Sequence, residues 1–172
     1  MRRHLLNEPR WSVIWAYGVF LGSLLFLYTV LRASVVQEYV AQPLAIAVAH
    51  MSGWVLNLLS LKATVSGTVL SVEGFTARID SVCTGIFVAA IYVSAVLAYP
   101  SRVKEKLKGL YLGVSVILVL NLIWVISLMY IGRHFPSFFE TAHLLVWQSL
   151  IIFAALLMWL YWTQRFVGVP QH

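Results

Sequence analysis

Apolar residues fill the chain in long runs, and the polar positions that interrupt those runs set its organisation. The first run covers residues 11–31, long enough to cross a hydrocarbon core of about 30 Å. Residues 33–40 are more polar. A second apolar stretch over 43–61 is interrupted by His50, Ser52, Gly53 and Asn57. Those positions leave it open as a further span or as an interfacial or re-entrant helix. The period then changes: residues 62–79 place β-branched residues in alternation around Glu73-Gly74, which predicts a short β-hairpin. Exposed strands cannot sit in lipid, so the hairpin belongs on one membrane surface or on the mouth of the bundle. Spans are predicted again over 82–99, ending at Pro100, over 109–131 and over 138–166, with the turn Gly132-Arg133-His134-Phe135-Pro136 between the last two. Gly109 and Gly113 form a small-xxx-small pair suited to close helix packing. The expected fold is an all-α polytopic membrane protein. It is a single domain over 1–172, a bundle of about four to five membrane helices with the hairpin on its outer face.

Composition agrees. Of 172 residues 61% are hydrophobic and only 10% charged, against about 25% charged in a soluble domain. The net charge of +6 is carried by basic residues clustered at segment ends, with no basic patch interleaved with aromatics, so it reads as membrane topology and excludes a nucleic-acid partner. One cysteine excludes an intramolecular disulfide and any CxxC redox or zinc site. The N-terminal run lacks a small-x-small cleavage site close behind it and is expected to stay as a span.

Charge also orients the chain. Arg2, Arg3 and Arg10 put the N-terminus in the cytoplasm, the loop 101–108 with four basic residues is the strongest cytoplasmic marker, and Arg165 puts the C-terminus there too. Cys83 then lies at the outer end of its span, and His143 lies one to two turns into the last helix from the same side. Residues 33–80 are left beginning and ending outside.

Candidate chemistry gathers at that outer end. Cys83 sits at the start of a span, where orphan N–H groups and the macrodipole favour a thiolate; the other reading is a small buried hydrophobe. His143 suits a Cys–His nucleophile pair, or is a headgroup-level histidine bonded to Asn, Ser or water. Asn121, roughly 15 Å below the outer end of its span, needs hydrogen-bond partners and is expected to face the bundle. Arg133 and His134 either reach an oxyanion or carboxylate, or anchor a helix end at the headgroups. Arg78 and Asp80 flank the cysteine, and Asp80 is placed to cap the helix that follows. Glu140 and His143 share a helix face, but a di-iron site needs that step on two helices and only one copy exists, so no metal or other cofactor is expected. Gly-x-Ser-x-Gly, His-Glu-x-x-His and a helix-borne aspartate pair are all missing, and so is an inverted repeat of the transporter kind.

Cys83-Thr84-Gly85-Ile86 opening one span, Asn121 in the next and His143 in the last resemble the exosortase/archaeosortase family of membrane cysteine transpeptidases. The segments Leu120-Asn121-Leu122-Ile123-Trp124, Ser127-Leu128, Gly132, Phe139-Glu140-Thr141-Ala142-His143 and Trp147-Gln148 look most like its small exosortase H branch. The resemblance runs from about Asp80 to Gln148. It implies an enzyme of the bacterial inner membrane that cuts C-terminal sorting signals of exported proteins at the outer face, with Cys83 as nucleophile and His143 as acid/base residue. The implied partner is a short motif followed by a transmembrane helix and a basic cluster. One position departs: the family's Asn-x-x-Arg arginine is Trp124 here. Either another cation supplies the charge, Arg133 first and Arg78 second, or the chain is a degenerate member that binds or chaperones a substrate helix without cutting it.

Overall fold

The computed structural model describes residues 10–167. Arg2 and Arg3, used above to orient the first span, lie outside them. Helix α1 is Arg10–Arg32 and α2 is Ser34–Leu58. Strands β1 Thr64–Ser66, β2 Val69–Val72 and β3 Phe75–Arg78 follow, then a 3-10 turn, Ser81–Thr84. Helices α3 Ile86–Ala98, α4 Val103–His134 and α5 Pro136–Val167 complete the chain. Four of these helices (α1, α2, α4 and α5) are long and apolar enough to cross a membrane, while α3 has only 13 residues. The chain is a helical polytopic membrane protein.

Helix α3 is the hub of the bundle. It packs against α1, α4 and α5, and α1 runs antiparallel to it, with Tyr28 meeting Phe87 at one end and Tyr17 beside Pro100 at the other. The glycine pair works as its spacing suggests. A methyl added at Gly109 would fall on the Trp162 indole, and one at Gly113 on the Tyr92 ring. The space left by the missing side chains lets the Tyr92 hydroxyl donate to Gly109 O at 2.9 Å and Trp162 Nε1 donate to Glu105 O at 2.8 Å. Both bonds give a buried side-chain donor a partner on the α4 backbone, where an apolar surrounding would offer none.

Several boundaries differ from those expected. The basic stretch 101–108 is mostly helix rather than loop: α4 starts at Val103, and the Glu105 carboxylate accepts from the Arg102 N–H at 2.9 Å, as in a capping box. Helix α2 begins well before residue 43 and absorbs the polar positions Gln37 and Glu38 in a π-helical turn, Gln37–Ala41. The hairpin is a three-stranded antiparallel meander. Its Glu73-Gly74 turn is present, with Gly74 at φ +86°, and a second turn at Gly67, φ +60°, adds a strand.

The meander and α2 form a layer at the end of the bundle opposite Pro100. Every third or fourth residue of α2 is small or apolar and buried (Ala45, Val48, Ala49, Ser52, Gly53, Leu56), and this stripe lies on Leu70 and Val72 of the sheet and on Val125 and Met129 of α4. Asn57 clips the end of α2 to the sheet, donating to Ala63 O at 3.0 Å and accepting from Ala63 N at 2.7 Å. The packing thus keeps α2 beside the last part of α4 and the sheet.

Replacing Gly113 by leucine forces the Tyr92 ring out of place. We expect a loss of about 1–3 kcal/mol, read as a lower melting temperature of the detergent-solubilised protein. Gly18→Ala, with open space around it, is expected to stay within about 0.5 kcal/mol of the parent.

Candidate active site

The 3-10 turn between β3 and α3 carries the cysteine. Asp80 leaves the strand with extended backbone, and its carbonyl accepts from the Cys83 N–H at 2.9 Å. The Thr84 hydroxyl donates to Ser81 O at 2.7 Å. Gly85 then takes the left-handed conformation, φ +75°, and α3 starts at Ile86. A Cβ at this position would be strained and would stand 3.1 Å from Asn121 Cγ. Asn121, fully buried on α4, uses that room to donate from Nδ2 to the Cys83 carbonyl at 2.7 Å. Its Oδ1 has no partner among the described residues.

The expected place for Cys83 is at or near the first turn of a helix; it lies in the 3-10 turn just ahead of α3, with Gly85 between them. Burial pushes the Cys83 thiol above the usual thiol range; the hydrogen bond with the Asp80 backbone opposes part of that shift and the Asp80 carboxylate adds to it. The Asp80 side chain makes no capping bond. The protonated thiol is the form this setting favours.

A base faces the same space. Cys83 and His143 line one cavity of about 330 Å³, closed by β3 on one side and by Trp124, Leu128 and Phe139 on the other. His143 lies in a π-helical stretch of α5, Ala142–Trp147, a widened turn of the kind often found at functional sites. Its ring is stacked between Trp124, with centroids 5.6 Å apart, and Phe139, at 5.9 Å. Trp124 is 5% exposed, and its Nε1 is buried without a partner among the described residues.

The two candidate arginines part ways. Arg133 does not line the cavity; it pairs with Glu73 Oε2 at 3.4 Å, while Lys62 holds Oε1 of the same carboxylate at 2.8 Å. These cations, Lys62 foremost, keep the Glu73 carboxyl below its usual range. Arg78, at the end of β3, does line the cavity and has no carboxylate partner among the described residues. His134 stacks on Tyr130 and bonds its carbonyl at 3.0 Å at the end of α4. No three His, Cys, Asp or Glu side chains come together as metal ligands among the described residues. Sequence reasoning carried Phe139 only within the segment that resembles the family, not as a wall against His143, and it missed the walls supplied by β3. The alternation over 75–79 pointed to a strand, but nothing local told which of its edges would face the cysteine.

A polytopic helical membrane protein with a cysteine and a histidine in one cavity at the end of its bundle defines a narrow class. The profile of the transmembrane exosortase family matches residues 10–165, and the chain belongs to that family. No curated protein and no solved structure matches it.

Because the thiol is raised, its alkylation by iodoacetamide is expected to follow pH with a midpoint above that of free cysteine measured alongside. The reactive thiolate is the form that burial disfavours, so labelling at pH 7 is slower than for the free thiol. A midpoint below that of free cysteine would contradict the geometry.

Proposed function

We propose that the protein is an exosortase-type cysteine transpeptidase of the bacterial inner membrane, closest to the H branch, acting on C-terminal sorting signals of exported proteins. The observation that carries this reading is the cavity shared by Cys83 and His143 in a chain of this family. His143 takes the thiol proton as Cys83 Sγ attacks a peptide carbonyl of the signal. The tetrahedral intermediate collapses, the C–N bond breaks, and the imidazolium returns the proton to the leaving amine. The retained chain is a thioester on Cys83. An incoming amine or water resolves it, giving its proton to His143 and restoring the thiol.

Topology supports this placement. Arg102, Lys104, Lys106 and Lys108 mark the Pro100 end as cytoplasmic, which puts the cavity at the outer face and both termini inside. Helices α1, α3, α4 and α5 then cross, and α2 stays at the outer face with the sheet. The strands have three or four residues each, about 10–14 Å, too short to carry the chain back across a core of about 30 Å. Helix α3, about 20 Å long by its 13 residues, is itself shorter than that core and crosses only together with the Ser81–Thr84 turn and the residues up to Pro100, which keeps Cys83 at or below the outer boundary.

Trp124 favours a second reading. It fills the family's arginine position, and its buried indole offers no charge to an oxyanion. A non-catalytic member that binds or chaperones a substrate helix fits that feature.

Co-expression with an exported protein ending in a short motif, an apolar helix and a basic cluster separates the two. Processing by the wild type that disappears in Cys83→Ala and falls about 100- to 10,000-fold in His143→Ala is the expected result. Processing that survives Cys83→Ala refutes the catalytic reading. Absence of processing by the wild type, restored by Trp124→Arg, selects the second reading; the gain expected from one oxyanion donor is about 100- to 1000-fold.

A further inference from the structure

Strand β3 is an edge strand. The sheet order is β1-β2-β3, so only one side of β3 is paired. Its register with β2 sets Val72 opposite Phe75 across the Glu73-Gly74 turn, Leu70 opposite Ala77 and Val69 opposite Arg78. The Ile79 N–H donates to Thr68 O at 2.8 Å. Hydrogen-bonded and non-hydrogen-bonded pairs alternate in an antiparallel ladder. Residues 75, 77 and 79 therefore turn their backbone groups toward β2, while Thr76 and Arg78 turn theirs toward the open edge. Those N–H and C=O groups have no backbone partner among the described residues.

That open edge borders the cavity that holds Cys83 and His143, and residues 75–79 all line it. An unpaired strand edge recruits another strand at a spacing of about 4.8 Å. Here the edge faces a slot whose far wall is Trp124 and Leu128 of α4 and Phe139 of α5. The cavity, about 330 Å³ in volume, is on the scale of a few peptide residues, and the occupant that brings a peptide bond to it is a single extended segment. We infer that the segment to be cut binds as an added fourth strand on β3, its main chain bonding to the N–H and C=O of Thr76 and Arg78, which carries its scissile carbonyl to Cys83. This rests on the peptide-processing reading above and supplies its mode of substrate recognition. Main-chain bonds give the affinity, and the side chains of alternate residues face the cavity walls. Recognition then depends on an extended segment directly before the apolar helix of the substrate.

The chain has one cysteine, so Cys83→Ala provides a cysteine-free full-length background. A cysteine introduced as Thr76→Cys is tested against single cysteines walked through the residues preceding the apolar helix of the co-expressed exported protein. Disulfides at every second position are expected, with intervening positions at least tenfold weaker. A three-to-four-residue period, or uniform labelling, overturns the inference. In the Cys83-containing protein, Thr76→Pro removes the edge N–H without breaking a bond to β2 and is expected to lose at least tenfold in processing while the melting temperature of the detergent-solubilised protein stays that of the parent; processing within twofold of the parent overturns the inference. Cross-linking is read without chemistry at residue 83. A period of two with no processing by the wild type thus sinks the catalytic reading while upholding strand addition, and the reverse result sinks strand addition alone.

Discussion

The amide of Asn121 holds the reactive turn to the bundle through one hydrogen bond, from Nδ2 to the carbonyl of Cys83 at 2.7 Å. The turn belongs to neither the sheet nor α3, so its carbonyl has no ladder or helix to satisfy it, and an unmade buried bond costs about 1–3 kcal/mol. The surrounding features serve that contact. Gly85 leaves room for the side chain, and the Gly109 and Gly113 contacts fix α4 against α3 and α5. His143 reaches the same cavity because α5 packs along the helix that carries Asn121. A helix-borne amide holds the turn that carries Cys83.

Charge around the cavity is distributed by the sheet. The Glu73 carboxylate pairs with both Lys62 and Arg133 at the turn between β2 and β3, so Arg133, near the end of the helix that carries Asn121, is engaged away from the cavity. Arg78 is left at the cavity wall. The space that an arginine at position 124 would occupy holds an indole stacked on the catalytic candidate imidazole. The result is a largely apolar, aromatic pocket with a few polar side chains in its lining, and hydrogen bonds and charges act more strongly in such surroundings.

How much of this was legible follows from how local each feature is. The helical runs, the Glu73-Gly74 turn and the glycine pair are written in neighbouring residues and were read correctly. The Gly67 turn was hidden because Val65-Ser66-Gly67-Thr68-Val69 continues the alternation on both sides. Polar Gln37 and Glu38 interrupt the apolar run, and the basic stretch after Pro100 reads as a loop; a π turn and a capping carboxylate carry the helices through them. The placement of Cys83 and His143 at one end was accessible from charge topology. The Glu73 partner of Arg133, the edge position of β3 and the separation of Cys83 from the helix start all depend on contacts between segments distant in sequence, which no pattern within a window encodes.

Helix α4 has 32 residues, about 48 Å at 1.5 Å per residue, which exceeds a hydrocarbon core of about 30 Å. The surplus is a mast on which the sheet and α2 hang, and Asn121 is fixed partway along it. The height of the thiol above the basic end of the helix is thus a property of the protein. A change of bilayer thickness is then met by a bundle of fixed length, because the helix has a set gauge where the lipid has a variable one.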